Sequence, residues 1–274
     1  MLPIFYINMA ARPDRRDHVE RQLAALGLSA TRVEAVTPDD LSAAQLAAAA
    51  GYMTAGELAC SLSHRHTWQV MLDTDVPAAL ILEDDVVLSS RTRELLADPE
   101  LLSGSTDALQ LENHRTNALV GRPIPTTVAG VAKHRLMSSS LGGAAYVMTA
   151  QFARRVLQLP YADQLPLDSL LFSRSGGAFY QMRLFQILPA LAIQLDKTVG
   201  AGGVERSDLT PRRLSPSTGA WPERLRRLTA NLRHAFRVLR TFGPTGELWG
   251  ARQIDLPVAD DLARLMPPRG LLKP

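Results

Sequence analysis

Cysteine and long apolar runs are scarce in this sequence. Its 274 residues include one cysteine, Cys60, which excludes a disulfide within the chain and is typical of a reducing cytoplasm. No run of about 18 apolar residues occurs, so we expect no membrane-spanning helix. Residues 1–8 lack a basic segment and reach polar residues too soon for a signal peptide. We therefore expect a cytoplasmic protein.

A strong excess of either charge is also missing. The formal net charge is +3, which argues against a uniformly basic protein that binds nucleic acid. The isoelectric point of about 9.3 and the many arginines of the C-terminal third indicate local basicity instead. We expect a phosphate-bearing or anionic-membrane partner and no nucleic acid.

Strand and helix patterns alternate along the first two hundred residues. Short apolar runs predict strands at Leu2–Asn8, Thr31–Val36, Ala79–Leu82, Asp107–Leu111, Gly143–Met148 and Tyr180–Leu188. Helical periodicity and end signals predict helices at Pro13–Gly27, Pro38–Ala50, Gly56–Leu72 and Gln151–Leu159. Residues 113–140 are typical of a long loop or an irregular hairpin. This alternation predicts an α/β sandwich.

The composition changes near Thr198, which predicts three segments. Residues 1–197 form the α/β domain, residues 198–222 a linker or flexible loop, and residues 223–274 a basic amphipathic helix and tail. The helix, Glu223–Phe242, has an apolar stripe of Leu225, Leu228, Leu232, Phe236 and Leu239, with Arg224, Arg227, Arg237 and Arg240 off it. Its stripe could pack on the domain, or the helix could bind an anionic membrane surface.

The stretch Leu80–Val87 carries the strongest chemical signal. Its apolar run is typical of a buried strand of a parallel sheet, and Glu83, Asp84 and Asp85 follow one another at its end. Neighbouring carboxylates repel, and a divalent cation relieves that repulsion. Ligands of open α/β sheets bind at the carboxyl ends of strands. The pattern favours a metal-assisted site, with a solvated acidic turn as the alternative.

Three separated motifs resemble those of one enzyme family. Residues 7–16, INMAARPDRR, residues 56–64, GELACSLSH, and residues 80–86, LILEDDV, are similar in order and spacing to segments of glycosyltransferase family 25. Residues 141–146 and 166–168 resemble two later segments. The resemblance covers about residues 2–196. Departures are Ala59 for the usual glycine, Gly143 for threonine and Leu167 for valine.

This resemblance implies a GT-A-like, Rossmann-type fold and an inverting sugar transfer. The donor would be a UDP-sugar, with galactose as the family default, and the acceptor lipopolysaccharide or another cell-surface saccharide, including a lipid-linked one. Mn²⁺ or Mg²⁺ would stabilise the departing diphosphate. We expect Asp85 to be the direct metal ligand, Asp84 the alternate ligand, and Glu83 a contact of ribose or metal-bound water. No further metal ligand is identified.

Polar residues after the first strand are candidates for the donor site. Arg12, Arg15 and Arg16 could hold the diphosphate, because guanidinium groups match phosphate geometry; alternatively they form a solvated first helical turn. Asn8 could contact uracil or ribose, or cap the helix.

Further donor contacts are predicted on the second motif and at a glycine pair. His64 or Ser61 could touch the nucleotide, although a histidine among apolar neighbours can be a core residue, and Cys60 is expected to serve packing. Gly142 and Gly143 would let the backbone approach the donor sugar.

An inverting transfer also needs a base on a segment distinct from the metal acids. Asp168 is the first candidate, because Leu165, Pro166 and Leu167 can raise its pKa; its alternative role is to cap a helix at Ser169. Glu112 is second and could instead bind a sugar hydroxyl. Asp196 is third.

Two other functions fit parts of the pattern. A metal-dependent phosphoesterase could use the same acidic strand end, but the sequence has no second dense cluster of acids or histidines for a two-metal site. A sugar-nucleotide-binding protein without activity is the other alternative. The intact acidic triplet argues against it, because repelling carboxylates serve no purpose in an inactive protein.

Overall fold

The computed structural model describes residues 1–113, 115–160, 164–174, 176, 179–199 and 232–267. The helices in this part of the chain are α1 Pro13–Ala25, α2 Ala43–Ala49, α3 Ala55–Asp73, α4 Thr92–Ala97, α5 Ala150–Leu157, α6 Leu167–Phe172, α7 over residues 232–242 and α8 Asp260–Ala263. The strands are β1 Ile4–Asn8, β2 Thr31–Glu34, β3 Ala78–Glu83, β4 Val86–Leu88, β5 Ala108–Gln110, β6 Asn117–Pro125, β7 Ala132–Leu136, β8 Ala145–Thr149, β9 Leu184–Leu188, β10 Ala192–Gln194 and β11 Arg252–Asp255.

The chain begins with a β-α-β unit for physical reasons that are visible in its sequence. Pro13 occupies the first turn of α1, where a missing N–H costs nothing, and Val19 and Leu23 are buried on one face of the helix. Gly27 follows the helix at φ +63°, a conformation that favours glycine. The chain then returns, so that β1 pairs in parallel with both β2 and β3.

The main sheet has the strand order β11-β6-β7-β9-β5-β8-β3-β1-β2. Its pairings are parallel for β1-β2, β1-β3 and β5-β9, whereas β3 pairs antiparallel with β8. We expected the acidic strand, β3, to belong to a parallel sheet. Its pairing with β1 is parallel, but its pairing with β8 is antiparallel, so its sheet is mixed. A mixed sheet that starts with a Rossmann-type parallel unit is the α/β sandwich that the sequence predicts.

Two apolar layers cover the faces of this sheet. Along β3, Ala79 and Ile81 belong to one buried cluster, and Leu80 and Leu82 belong to another. Alternation places successive side chains on opposite faces. A strand that is apolar throughout is thus buried on both sides, and its first polar residue, Glu83, comes where the layers end.

Most predicted elements of residues 1–160 are confirmed within a few residues. The predicted helix Pro38–Ala50 is instead a short 3₁₀ turn, Pro38–Asp40, followed by α2. Residues 113–140 contain the hairpin formed by β6 and β7. The strands β4 and β10, which pair with each other, are too short for a clear sequence pattern.

The C-terminal part of the chain joins the main sheet. Strand β11 pairs antiparallel with β6, and α7 packs through Val238 and Phe242 near Met137. The stripe residues Leu232, Phe236 and Leu239 are instead 69%, 65% and 60% exposed. The predicted linker beyond residue 199 and the predicted helical residues 223–231 lie outside the described residues. Among the described helices, none combines the length and the apolar character needed to cross a membrane.

Candidate active site

Two pockets lie side by side where β1 and β3 end. We call the first the strand-end pocket; its polar lining residues are Asn8, Arg15, Ser63, His64, Glu83, Asp84 and Asp85. We call the second the glycine pocket; it is lined by Glu57, Glu83, Glu112, Leu141, Gly142, Gly143, Pro166, Leu167, Asp168, Gln194 and Lys197. Cys60 and Glu83 line both. The predicted metal, donor-sugar and base residues are therefore brought together in adjoining cavities.

Asp84 is held in place by groups from β1 and α1. Asn8 Nδ2 donates to Asp84 Oδ2 at 2.8 Å, and Arg15 Nη1 lies 3.4 Å from Asp84 Oδ1. Arg32 Nε in turn donates to Asn8 Oδ1 at 3.0 Å. Burial raises the pKa of Asp84, and the Asn8 and Arg15 contacts oppose that rise. With both oxygens contacted, Asp84 is the weaker candidate for a metal ligand.

One side-chain oxygen of Asp85 makes no hydrogen bond with the described residues. Its Oδ1 is buried and has no hydrogen-bond partner among the described residues, while Oδ2 lies 3.8 Å from Arg15 Nη1. Burial, reinforced by the charge of Glu83, raises the pKa of Asp85 to about 7. Burying a carboxylate oxygen without a hydrogen-bond donor costs free energy of folding. A bound cation would offset that cost. This geometry fits the predicted metal role.

A short 3₁₀ turn, Leu195–Lys197, packs against the acidic segment. Leu195 N donates to the backbone oxygen of Asp85 at 2.7 Å, and the charge of Asp196 helps to raise the pKa of Asp85. Asp196 Oδ1 is buried without a hydrogen-bond partner among the described residues, and Lys197 Nζ lies 2.8 Å from its Oδ2. The sequence, which offered Asp196 as a base, gives no sign of this proximity.

Of the three predicted phosphate arginines, the structure brings only Arg15 to the pocket. Arg12 pairs with Asp14, with Nη2 and Oδ2 2.8 Å apart, and Arg16 pairs with Glu20 along α1. The helix turns about 100° per residue, so neighbours in sequence face different ways. Asn8 does not cap α1, whose N-cap is Arg12; its amide donates to the Arg12 carbonyl at 3.1 Å.

Helix α3 forms the wall of the strand-end pocket. A capping box opens it, with Thr54 Oγ1 accepting from Glu57 N and Glu57 Oε2 accepting from Thr54 N, as the sequence predicts. His64 reaches the pocket and lies 3.4 Å from Glu83, measured from Nε2 to Oε1. Ser61 is buried and lines neither pocket. Ser63, which the sequence analysis missed, lines the strand-end pocket in its place.

Glu112 is the most deeply buried acid of the glycine pocket. Its Oε2 accepts from Ala144 N at 2.8 Å, and burial, reinforced by the charge of Glu83, raises its pKa to about 8. Gly142, at φ +133°, presses its backbone against this carboxyl: a Cβ there would lie 2.8 Å from Glu112 Oε2. Only glycine permits this close approach.

Asp168 lies in the first turn of α6 and lines the same pocket. The helix begins at Leu167 with Pro166 as its N-cap, so the alternative that Asp168 caps a helix at Ser169 is wrong. Burial raises the pKa of Asp168, while the backbone N–H of Ser169, 2.6 Å from Oδ1, opposes the rise. A partly buried acid at a cavity wall is suited to proton transfer.

Gly143 and Leu167, two residues that differ from the usual residues of the family segments, contact each other. A Cβ at Gly143 would lie 2.7 Å from Leu167 Cδ2 and 3.7 Å from Glu83 Oε1. The space next to Glu83 is therefore filled by the Leu167 side chain from α6. These two residues shape the wall between the acids of the pocket.

The mixed α/β sheet and its acidic strand end agree with the family that the sequence motifs resemble. The sequence matches the family described as glycosyltransferase family 25 (LPS biosynthesis protein) over residues 1–171. The chain belongs to that family, as its motifs predict, and it is a glycosyltransferase.

Curated relatives come from bacteria and animals. The lacto-N-neotetraose biosynthesis glycosyltransferase LgtB of Neisseria gonorrhoeae is 27% identical over 69% of this chain and 72% of that protein. Procollagen galactosyltransferase 2 of Homo sapiens is 29% identical over 61% of this chain but only 29% of its own length. The lipooligosaccharide biosynthesis protein lic2B of Haemophilus influenzae is 23% identical over 69% of this chain and 75% of that protein.

Solved structures give a weaker likeness. A glycosyltransferase involved in glycosylation of the major capsid of PBCV-1 aligns with a TM-score of 0.41 and 10% identity, over 72% of this chain and 93% of that one.

Proposed function

We propose that this glycosyltransferase inverts the sugar that it transfers, with a UDP-sugar as donor, a cell-surface saccharide as acceptor and a divalent cation as cofactor. Galactose is the first sugar to test, because procollagen galactosyltransferase 2 is among the relatives. A lipooligosaccharide glycan is the first acceptor class, given the name of lic2B. The observation that carries the proposal is the unpartnered oxygen of Asp85 beside Arg15.

Asp85 would hold the cation, and Asp196 is placed to assist it. Both have a buried oxygen without a hydrogen-bond partner among the described residues, and carboxylates are the preferred ligands of Mg²⁺ and Mn²⁺. A bound divalent cation supplies Lewis acidity toward the diphosphate that departs. Arg15 adds a fixed positive charge on the same side of the pocket.

Asp168 is the better of the two candidate bases that line the glycine pocket. A base must be ionised at the working pH, and the raised pKa of Glu112, about 8, keeps that group protonated near neutrality. A protonated Glu112 can donate a hydrogen bond to a sugar hydroxyl, the role that the sequence analysis also allowed. Asp168 would then take the proton of the acceptor hydroxyl as it attacks.

The two pockets divide the reaction between them. The strand-end pocket would hold the nucleotide and diphosphate through Arg15 and Asp85, and the glycine pocket would hold the acceptor near Asp168. The donor sugar would lie at their shared wall, beside Glu83 and the backbone of Gly142 and Gly143. Such an arrangement would put the base and the leaving group on different sides of the sugar, as inversion requires.

A panel of UDP-sugars tests the donor. The midpoint of thermal unfolding should rise with the correct UDP-sugar only when Mn²⁺ or Mg²⁺ is present, since a ligand stabilises the state that binds it. Transfer to a saccharide acceptor should stop with EDTA and return with metal. Hydrolysis of the donor without transfer to any acceptor would instead favour a phosphoesterase.

We further propose that α7 attaches the protein to an anionic membrane surface. Its exposed Leu232, Phe236 and Leu239 form an apolar strip next to the exposed arginines Arg233 and Arg240, a composition typical of interfacial helices. Each arginine near such a surface adds on the order of 1 kcal/mol. A lipid-linked acceptor would be met at that surface.

Sedimentation with liposomes tests this attachment. Full-length protein should pellet with anionic liposomes and much less with neutral ones, and salt should release it. Changing Leu232, Phe236 and Leu239 to Ser should reduce pelleting without loss of transfer to a soluble acceptor. Equal pelleting with both liposome types, or no loss in the variant, would contradict the proposal.

A further inference from the structure

A buried chain of polar contacts leads from α3 through β8 to the end of β3; its last contact, between His64 Nε2 and Glu83, is a proximity and not a formed hydrogen bond. Trp68 Nε1 donates to Tyr146 Oη at 2.8 Å, Tyr146 Oη lies 2.9 Å from His64 Nδ1, and His64 Nε2 lies 3.4 Å from Glu83 Oε1. Trp68, Tyr146 and His64 are at most 1% exposed. Because water does not reach these groups, each proton needs a partner within the chain.

The chemistry of each group fixes the direction of these bonds. An indole N–H only donates, so Tyr146 Oη must accept from Trp68. Burial holds the pKa of Tyr146 well above its usual range, so the phenol keeps its proton. If that proton points to His64 Nδ1, both groups are satisfied. If Nδ1 carried a proton instead, the phenol hydrogen would face it without an acceptor, at the cost of a buried unsatisfied donor.

We propose that Tyr146 is a positioning residue that fixes His64 as the neutral tautomer with its proton on Nε2. His64 then presents one hydrogen-bond donor to the carboxylate of Glu83. Since Glu83 lines both pockets, this donor orients it for a hydroxyl of the bound ligand. That last step rests on the proposed function, because it takes the ligand to be a UDP-sugar; the tautomer does not.

The tautomer of His64 also bears on a second cluster of possible metal ligands, which includes this histidine. Ligand atoms of Cys60, His64 and Glu83 all lie within 4.8 Å of one another, close enough to hold a metal ion. Coordination through His64 Nε2 requires that nitrogen to be bare. A proton that Tyr146 keeps on Nε2 would oppose coordination there, which favours Asp85 over this trio as the place of the cation.

Nitrogen-15 NMR of the full chain with labelled histidine measures the tautomer directly. Bare and protonated ring nitrogens resonate far apart, and His64→Gln assigns the signals. In mildly alkaline buffer, wild-type His64 should show a bare Nδ1 and a protonated Nε2. A protonated Nδ1, or two averaged signals, would overturn the proposal.

Tyr146→Phe removes the phenol proton, so the Nδ1 signal should move toward the protonated position. The matched control is Tyr6→Phe, a change of a buried tyrosine on β1 whose hydroxyl donates to Glu20, away from His64; it should leave the signal unchanged. An unchanged Nδ1 signal in Tyr146→Phe would also overturn the proposal.

Donor affinity tests the role of Glu83 separately. In Tyr146→Phe, UDP-galactose should bind about three- to tenfold more weakly, the effect of one hydrogen bond, and Tyr6→Phe should bind normally. A weaker affinity without a tautomer change would make Tyr146 merely structural. A changed tautomer with normal affinity would refute the orientation of Glu83. If wild-type protein binds no UDP-sugar, the proposed function fails while the NMR result still decides the tautomer.

Discussion

The strand-end pocket and the glycine pocket share a wall but are organised differently. In the first, charged groups already contact one another, as Asp84 does with Asn8 and Arg15. In the second, Glu112 accepts a hydrogen bond from Ala144 N and Asp168 accepts from Ser169, and Lys197 is the one cation among the described residues that line it. Paired charges favour the binding of a charged ligand, whereas isolated buried acids favour proton exchange.

Replacing Asp85 with Asn should have the largest effect, because it removes the proposed cation ligand of the strand-end pocket. We expect transfer to fall by about 10²- to 10³-fold, about 3 kcal/mol or more, the scale of one strong electrostatic contact. The residual activity should no longer respond to EDTA. Asp17→Asn, an exposed change on α1, is the control. Normal transfer by the Asp85 variant would remove the distinction between the pockets.

Replacing Asp168 with Asn tests the glycine pocket in the same way. The value of kcat should fall by about 10²-fold or more, since a general base is lost, whereas UDP binding, measured by calorimetry, should stay unchanged. This split between catalysis and binding is what the comparison of the two pockets predicts. If UDP binding disappears with the carboxylate, Asp168 belongs to the donor site.

Replacing Arg15 with Gln should weaken donor binding more than it slows catalysis. The KM for the UDP-sugar should rise by about tenfold, the loss of roughly one charged contact, with a smaller change in kcat. Arg16→Gln, on the exposed side of the same helix, should leave both constants unchanged. Equal effects of the two variants would mean that α1 contributes only a general positive field.

Replacing Glu112 with Gln should change how stability depends on pH. The folded protein keeps the Glu112 proton up to about pH 8, whereas the same carboxyl in the unfolded chain loses it near pH 4.5. Between these values the folded state binds more protons, so this group makes wild-type stability fall as pH rises, by up to about 1.4 kcal/mol per pH unit. Urea unfolding across the range should show a flatter curve for the variant. Parallel curves would show that Glu112 ionises normally.

Local signals in the sequence were sufficient to predict the acidic strand end, α1 and α3, the elements that form the strand-end pocket. The apolar run before Glu83 places the acids at a strand end, Pro13 and Gly27 delimit α1, and the box of Thr54 and Glu57 opens α3. Each of these signals involves only a few neighbouring residues. It can therefore be recognised without knowing which elements pack together. Which arginine faces the pocket depends on the rotation of α1 against the sheet, and the motif alone did not decide that.

The glycine pocket shows where such signals end. Glu112, Gly142, Asp168 and Lys197 come from four separate segments, and no local pattern relates the end of β5 to the first turn of α6. Likewise, the apolar stripe of α7 was visible in the sequence, but which face packs was not: Val238 and Phe242 are buried, while Leu232 and Phe236 are exposed. Periodicity indicates that a helix has an apolar face, but it does not indicate which part of the protein packs against that face.

By itself, the sequence determined the α/β class, the acidic strand end and the family, because these follow from short-range periodicity and from motifs in order. Only the tertiary structure decided that Asp84 is already contacted, that Asp85 Oδ1 has no hydrogen-bond partner among the described residues, that Asp196 lies near the acids, and that Tyr146 Oη meets His64 Nδ1. Those distinctions depend on burial and on hydrogen-bond partners up to about a hundred residues away, and both arise only when the sheet assembles.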